Sequence, residues 1–140
     1  MELQLPFPPS VNHYWRNFRG KTIISKAGRD YRADVCATLA GAGDGKPPFI
    51  GRVALCMDAF PPDRRRRDLD NILKASLDSL TCARIFEDDE LIDLLLVRRK
   101  QPDSPGHLHI VITPIKTMNS CPLCGREFAD NYEKNFKKDF

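Results

Sequence analysis

Asp63-Arg64-Arg65-Arg66-Arg67-Asp68-Leu69-Asp70-Asn71 is the stretch on which the reading of this chain turns. Before it, Arg52 to Phe60 alternates well enough to be a strand. After it, Leu69, Leu73, Leu77 and Leu80 repeat at four, four and three residues. That period predicts a helix from about Leu69 to Ala83 with one apolar face. A strand, a charged loop and a helix therefore meet here. Arginines fit phosphate oxygens, and carboxylates fit a hard cation such as magnesium. The stretch implies a site where a nucleic-acid backbone meets a metal ion, and with it phosphodiester cleavage.

Helical geometry sharpens the site. At 3.6 residues per turn, Asp70, Lys74 and Asp78 stack at the edge of the leucine stripe. Asp68 points the same way as Asp70 if residues 68–70 are still extended, because extended residues alternate sides. The acidic cluster Glu87-Asp88-Asp89-Glu90 follows the helix, so Asp88 or Asp89 could return to the same place. Two carboxylates about 4 Å apart repel by roughly 4 kcal/mol at an effective dielectric of about 20, so either one holds a proton or a cation neutralises both. Magnesium keeps several of its waters, one of which can become a nucleophile, and Lys74 could orient that water or hold charge on the phosphate. A plain structural role competes with this. Asp68 or Asp70 would cap the helix, where carboxylates are favoured. The four adjacent arginines weigh against it, since a capping aspartate needs none of them.

Outward from the centre, residues 1–5 alternate and stop at Pro6, Pro8 and Pro9, as a short strand entering a loop. Asn12 to Lys21 interleaves aromatics with cations, among them Arg16, Arg19 and Lys21. Such mixing suits nucleic acid, although a half-buried loop with a solvated rim explains it as well. Ser25 is a candidate N-cap for a helix from about Lys26 to Leu39. Residues 91–100 and 107–115 read as two strands joined by a proline and glycine turn. The order strand, helix, strand, helix, strand, strand makes an α/β or α+β single domain.

Composition is permissive. A length of 140 residues fits one domain, and a formal charge of +3 does not mark a nucleic-acid binder by itself. The cations are concentrated instead in Arg64 to Arg67 and in Arg98-Arg99-Lys100. No membrane span or signal peptide is visible, and five cysteines argue against a secreted disulfide framework. A cytoplasmic protein is the expectation. Cys36, Cys56 and Cys82 fall in apolar-patterned segments and read as reduced core thiols.

The central stretch, with Lys74 and the later Asp88-Asp89, resembles the RusA family of Holliday-junction resolvases. So do Leu5-Pro6-Phe7-Pro8-Pro9-Ser10-Val11-Asn12-His13-Tyr14 and Arg19-Gly20-Lys21 near the start. The likeness runs over about residues 3–115. It implies a magnesium-dependent endonuclease acting on four-way or branched DNA in a bacterial or phage-infected cell. It also implies a small mixed sheet with two main helices in an interlocked homodimer. By position in the motif, Asp68, Asp70 and Asp89 would hold the metal, and Lys74 would be the catalytic lysine. Arg64, Arg65, Arg66, Arg67, Arg16, Arg19 and Lys21 are the expected DNA contacts. Two other readings remain: a non-catalytic DNA-binding protein with a zinc knuckle, and a generic flap or branch nuclease.

The resemblance covers an endonuclease domain at 1–116 and leaves an extension at 117–140. The extension holds Cys121-Pro122-Leu123-Cys124-Gly125, which resembles a zinc knuckle, in which two thiolates grip zinc from a tight turn. A structural zinc site needs four ligands. His107 and His109, two apart on a strand, could complete the set, or a dimer could donate a second cysteine pair.

Overall fold

The computed structural model describes residues 1–40, 49–115, 120–121 and 125–127. Its four-stranded sheet is built, in spatial order, from β1 (Glu2–Pro6), β6 (His107–Pro114), β4 (Val53–Phe60) and β5 (Ile92–Arg99). Strand β4 is central and buried along most of its length. It pairs antiparallel with β6 and parallel with β5, and β1 closes the other edge antiparallel to β6. The sheet is thus mixed, as expected. Parallel β4 and β5 require a crossover, and helix α3 (Asp70–Cys82) supplies it. Helix α2 (Lys26–Ala40) packs against α3 and β1.

Strand alternation sorts the residues by face. Leu3, Leu5, Val53, Leu55, Met57, Leu108, Ile110 and Ile112 point into the core to meet Tyr31, Val35, Leu39, Ile72 and Leu80 from the helices. Cys56, Asp58, His107 and His109 have the opposite parity and lie on the outer face. The helix α2 stripe is Gly28, Tyr31, Val35 and Leu39. Ser25 Oγ accepts from the Gly28 amide at 3.0 Å, which makes it the N-cap that its position suggested.

Three expectations are corrected. The aromatic and basic stretch after Asn12 is not a loop. A short helix α1 (Val11–Tyr14) leads into a hairpin of β2 (Trp15–Phe18) and β3 (Lys21–Ile24). Its two turn residues, Arg19 and Gly20, have φ of 50° and 76°, the paired left-handed conformation that matches hairpin twist. Its root is tightly seated. A Cβ added to Gly28 would lie 2.7 Å from Tyr14 O and from Ile24 Cγ2, so only glycine lets α2 approach.

The second correction concerns α3. Its buried residues are Ile72, Ala75, Ser76, Ser79 and Leu80, while Leu69, Leu73 and Leu77 pack at the margin. Small side chains bring this face close to its neighbours. Ser76 and Ser79 satisfy their hydroxyls on the carbonyls of Ile72 and Ala75, at 2.8 and 2.7 Å. The third concerns the thiols. Cys82 is exposed and Cys36 and Cys56 are half-buried, so none is a fully buried core residue. Cys36 and Cys82 face each other across α2 and α3, with sulfurs 3.9 Å apart.

Candidate functional site

The arginine block leaves the end of β4 as a closed loop. Asp63 accepts from the Arg65 amide at 2.8 Å and takes a two-pronged pair from Arg67 at 2.6 and 3.0 Å. These bonds, Arg67 first, hold the Asp63 carboxyl down at about 2. Arg67 also lies over the Phe7 ring, and its carbonyl accepts from Arg99. Arg67 therefore fastens the loop, while Arg64, Arg65 and Arg66 stand exposed. Together with Arg99 and Lys100 they line a groove of about 910 Å³ at the carboxyl ends of the two parallel strands. Crevices of α/β sheets form at such strand ends.

Beside the groove, Arg98 is bound to Asp58 at 2.6 and 2.9 Å, with Lys100 at 3.5 Å. Burial raises the Asp58 carboxyl, but the two cations overcome it and hold the group below its ordinary range. Parallel pairing sets Asp58 opposite Arg98, so this ion pair belongs to the sheet. Of the second basic cluster, Arg99 is the residue with no carboxylate partner among the described residues.

One residue after the loop comes Asp68, and then α3. Leu69 is already helical, with φ −67° and ψ −32°, so residues 68–70 are not extended and do not alternate sides. No side chain caps this helix, which leaves Asp68 and Asp70 without the capping role that competed for them. Both are exposed, and neither has an ion-pair partner among the described residues. Asp70 sits in the first turn, where the helix dipole favours a negative charge.

One turn on, Lys74 is held between two carboxylates. Its Nζ lies 2.6 Å from Asp78 Oδ1 and 3.7 Å from Asp89 Oδ2. Asp78 chiefly, and Asp89 after it, raise the ammonium above its ordinary range. Asp89 opens a 3-10 turn (Asp89–Leu91), and Asp88 caps that turn by accepting from the Glu90 amide at 3.0 Å. This bond holds Asp88 below the ordinary carboxylate range. The two neighbours are thus distinct: Asp88 serves the backbone, and Asp89 faces the lysine.

Lys74, Asp78 and Asp89 are brought together by α3 and the turn that follows it. Among the described residues, no three His, Cys, Asp or Glu side chains form a ready-made metal cage. The donor chemistry nonetheless suits a hard divalent cation. Asp68 and Asp70 offer carboxylate oxygens that no cation among the described residues pairs with, although four arginines precede them. Asp78 and Asp63 are the site residues that sequence reasoning gave no role. Each is four residues from its partner, and that spacing was the available signal.

The hairpin carries the other expected contacts. Arg16, Arg19 and Lys21 are exposed and have no carboxylate partner among the described residues. The two arginines lie 5.6 and 5.3 Å from the centre of the Phe18 ring. On the outer sheet face, His109 contacts Glu2 at 2.5 Å, and His107 stacks on Phe60 at 4.3 Å. In the extension, Gly125 donates to Cys121 O at 2.9 Å and Cys121 to Arg126 O at 2.7 Å. Gly125 has φ 68°. Cys124 and Lys134 to Lys138 lie outside the described residues. No helix among the described residues is long and apolar enough to cross a membrane.

Comparison with known proteins gives a consistent result. Residues 6–113 match the family model described as endodeoxyribonuclease RusA. The chain is 41% identical over 117 residues to the crossover junction endodeoxyribonuclease rusA of Enterobacteria phage 82, covering 79% of this chain and 92% of that one. It is 41% identical over 116 residues to the protein of the same name from Enterobacteria phage HK97, covering 81% and 94%. It is 39% identical over 117 residues to crossover junction endodeoxyribonuclease RusA of Escherichia coli strain K12, covering 79% and 92%.

Proposed function

This chain belongs to the endodeoxyribonuclease RusA family, and from that premise we propose that it resolves four-way DNA junctions by paired, magnesium-dependent phosphodiester hydrolysis. The observation that carries the reading is Lys74, an ammonium braced by Asp78 and Asp89 on the helix that follows the arginine groove. Groove and lysine belong to one short run of chain, the loop after β4 and the first turns of α3.

The roles follow from charge. Arg64, Arg65, Arg66 and Arg99 take backbone phosphates, and Arg67 shapes the loop that presents them. Lys74 is held in its charged form, which makes it a poor general base. It suits instead the charge that builds on the phosphate and the leaving oxygen, where a fixed cation is most effective. Asp68, Asp70 and Asp89 are the proposed magnesium ligands, although the described residues do not gather them into one cage. When bound, that ion supplies Lewis acidity and a water of lowered pKa. It also removes the carboxylate charge that would otherwise repel DNA. The extension is a separate segment at 117–140, with Cys121 and Cys124 as a proposed zinc pair whose occupancy elemental analysis of the purified protein would test.

The decisive experiment offers the protein four-way junctions, linear duplexes and flaps, with and without magnesium. Cleavage of junctions alone, dependent on the metal, is expected. Equal cutting of flaps would replace this reading with a general branch nuclease, and binding without cutting would replace it with a DNA-binding protein.

A further inference from the structure

The nuclease chemistry leaves Phe18 unused. It ends β2 at the tip of the hairpin and is 51% exposed, among the largest exposures of an apolar side chain in the described residues. Its ring has the Arg16 and Arg19 guanidinium carbons 5.6 and 5.3 Å from its centre. Lys21 pairs directly across from it in the hairpin register. Among the described residues, none of these three cations has a carboxylate partner.

That surrounding decides what the ring can meet. An apolar protein surface would have to strip water from three unpaired cations to reach it, which is unfavourable. A nucleobase presents a flat π face to the ring while its own phosphates take the cations. Stacking on a base is also stronger than an exposed guanidinium–ring contact, so a base would displace an arginine from the ring towards a phosphate. The hairpin is fixed well enough to aim the ring. Tyr14 at its root is buried, the Ser25 amide donates to Tyr14 O at 2.9 Å, and Gly28 admits α2 against Tyr14 and Ile24.

We propose that Phe18 is a base-stacking residue that reads the branch point of the DNA. In a continuous duplex every base already has two stacking neighbours. At a strand exchange some bases lose one, and Phe18 replaces it. The ring thereby contributes to the choice of branched over linear DNA. This proposal rests on the junction-nuclease function and concerns a different part of the molecule from Lys74.

The test compares affinities of the full-length protein, in the absence of divalent metal, for a four-way junction and a linear duplex of the same length. Phe18→Ala should lower the junction-to-duplex affinity ratio by about ten-fold, the order of one lost base stack. Phe18→Trp should keep the ratio, and Phe18→Leu, apolar but without a π face, should not. A ratio within two-fold of wild type for Phe18→Ala, or Leu performing as well as Trp, would overturn the proposal. A fluorescent 2-aminopurine at the branch point gives a second readout: it should be quenched by wild type and by Phe18→Trp and not by Phe18→Ala. If wild type itself shows no junction preference, the junction reading fails. Stacking is then decided by the same quench on a gapped duplex, where an absent quench overturns it. Self-association that Phe18→Ala abolishes in DNA-free solution would assign the ring to protein contact and overturn it as well. Far-UV circular dichroism establishes that each variant is folded.

Discussion

Asp78 lies closer to Lys74 than Asp89 does, and that difference gives it a distinct duty. It is the larger cause of the lysine's upward shift. Removing it by Asp78→Asn should therefore let Lys74 lose its proton at lower pH. The alkaline limb of the cleavage profile should move down in pH, with little change on the acid side. A profile unchanged in shape but lower at every pH would make Asp78 merely structural. Lys74→Ala should reduce turnover by about 100- to 1,000-fold, the usual effect of losing one charge-stabilising group, with much less effect on binding. Asp70→Asn should abolish cleavage while keeping or strengthening junction binding, because the removed charge repels phosphate. Normal cleavage by the folded variant would dismiss Asp70 as a metal ligand. Asp89→Asn should resemble it, whereas Asp88→Asn should loosen a turn and leave most activity. The sequence showed these carboxylates as a group but not their division of labour. Whether Asp88 or Asp89 meets the lysine depends on which one caps the turn, and that is a backbone property.

The arginine loop acts as an element rather than as four separate charges. Unequal contributions are expected because Arg67 is consumed by Asp63 and by the Phe7 ring. Replacing Arg64, Arg65 and Arg66 together by Ala should weaken binding and flatten its salt dependence. The slope should fall by about 0.9 for each phosphate of duplex-like DNA that the loop no longer neutralises. An unaltered slope would assign the block to the fold. The Asp63–Arg67 pair also has a pH signature. The folded carboxyl titrates at about 2 against an ordinary 3.8, so its contribution is complete above about pH 4. It is lost as pH falls through the folded value. An Asp63→Asn variant should thus lose its deficit relative to wild type between about pH 4 and 2, read from chemical denaturation across that range. At this scale sequence reasoning succeeded where side-chain period equals burial, as in β6 and α2. It failed where small residues make the contact. Ala75, Ser76 and Ser79 carry little hydropathy, so the leucines of α3 pointed to the wrong strip of the helix. The β2–β3 hairpin was missed for a related reason: Arg19-Gly20 is not a strong turn signal, and four-residue strands leave little alternation to read.

For the whole molecule, the element order predicted the fold class. The pairing did not follow from it, because parallel contact between β4 and β5 joins residues about forty apart and leaves no local trace. The described residues offer one lysine flanked by carboxylates per chain, and a four-way junction needs two symmetric cuts. A homodimer with twofold symmetry is therefore expected, making paired incisions, and a monomer that cuts junctions at full rate in sedimentation-matched conditions would exclude it. Gly28→Ala should destabilise the chain by about 1–3 kcal/mol, since the added methyl meets a backbone oxygen that has nowhere to go, and thermal melting reads this directly. That same glycine separates two kinds of freedom in the hairpin. Its root is locked into the fold, while Phe18, Arg19 and Lys21 at its tip are exposed. On the proposal made for Phe18, substitutions at Arg16, Phe18 and Lys21 should alter which DNA shapes are accepted with little effect on folding, which makes this short hairpin the adjustable part of the protein.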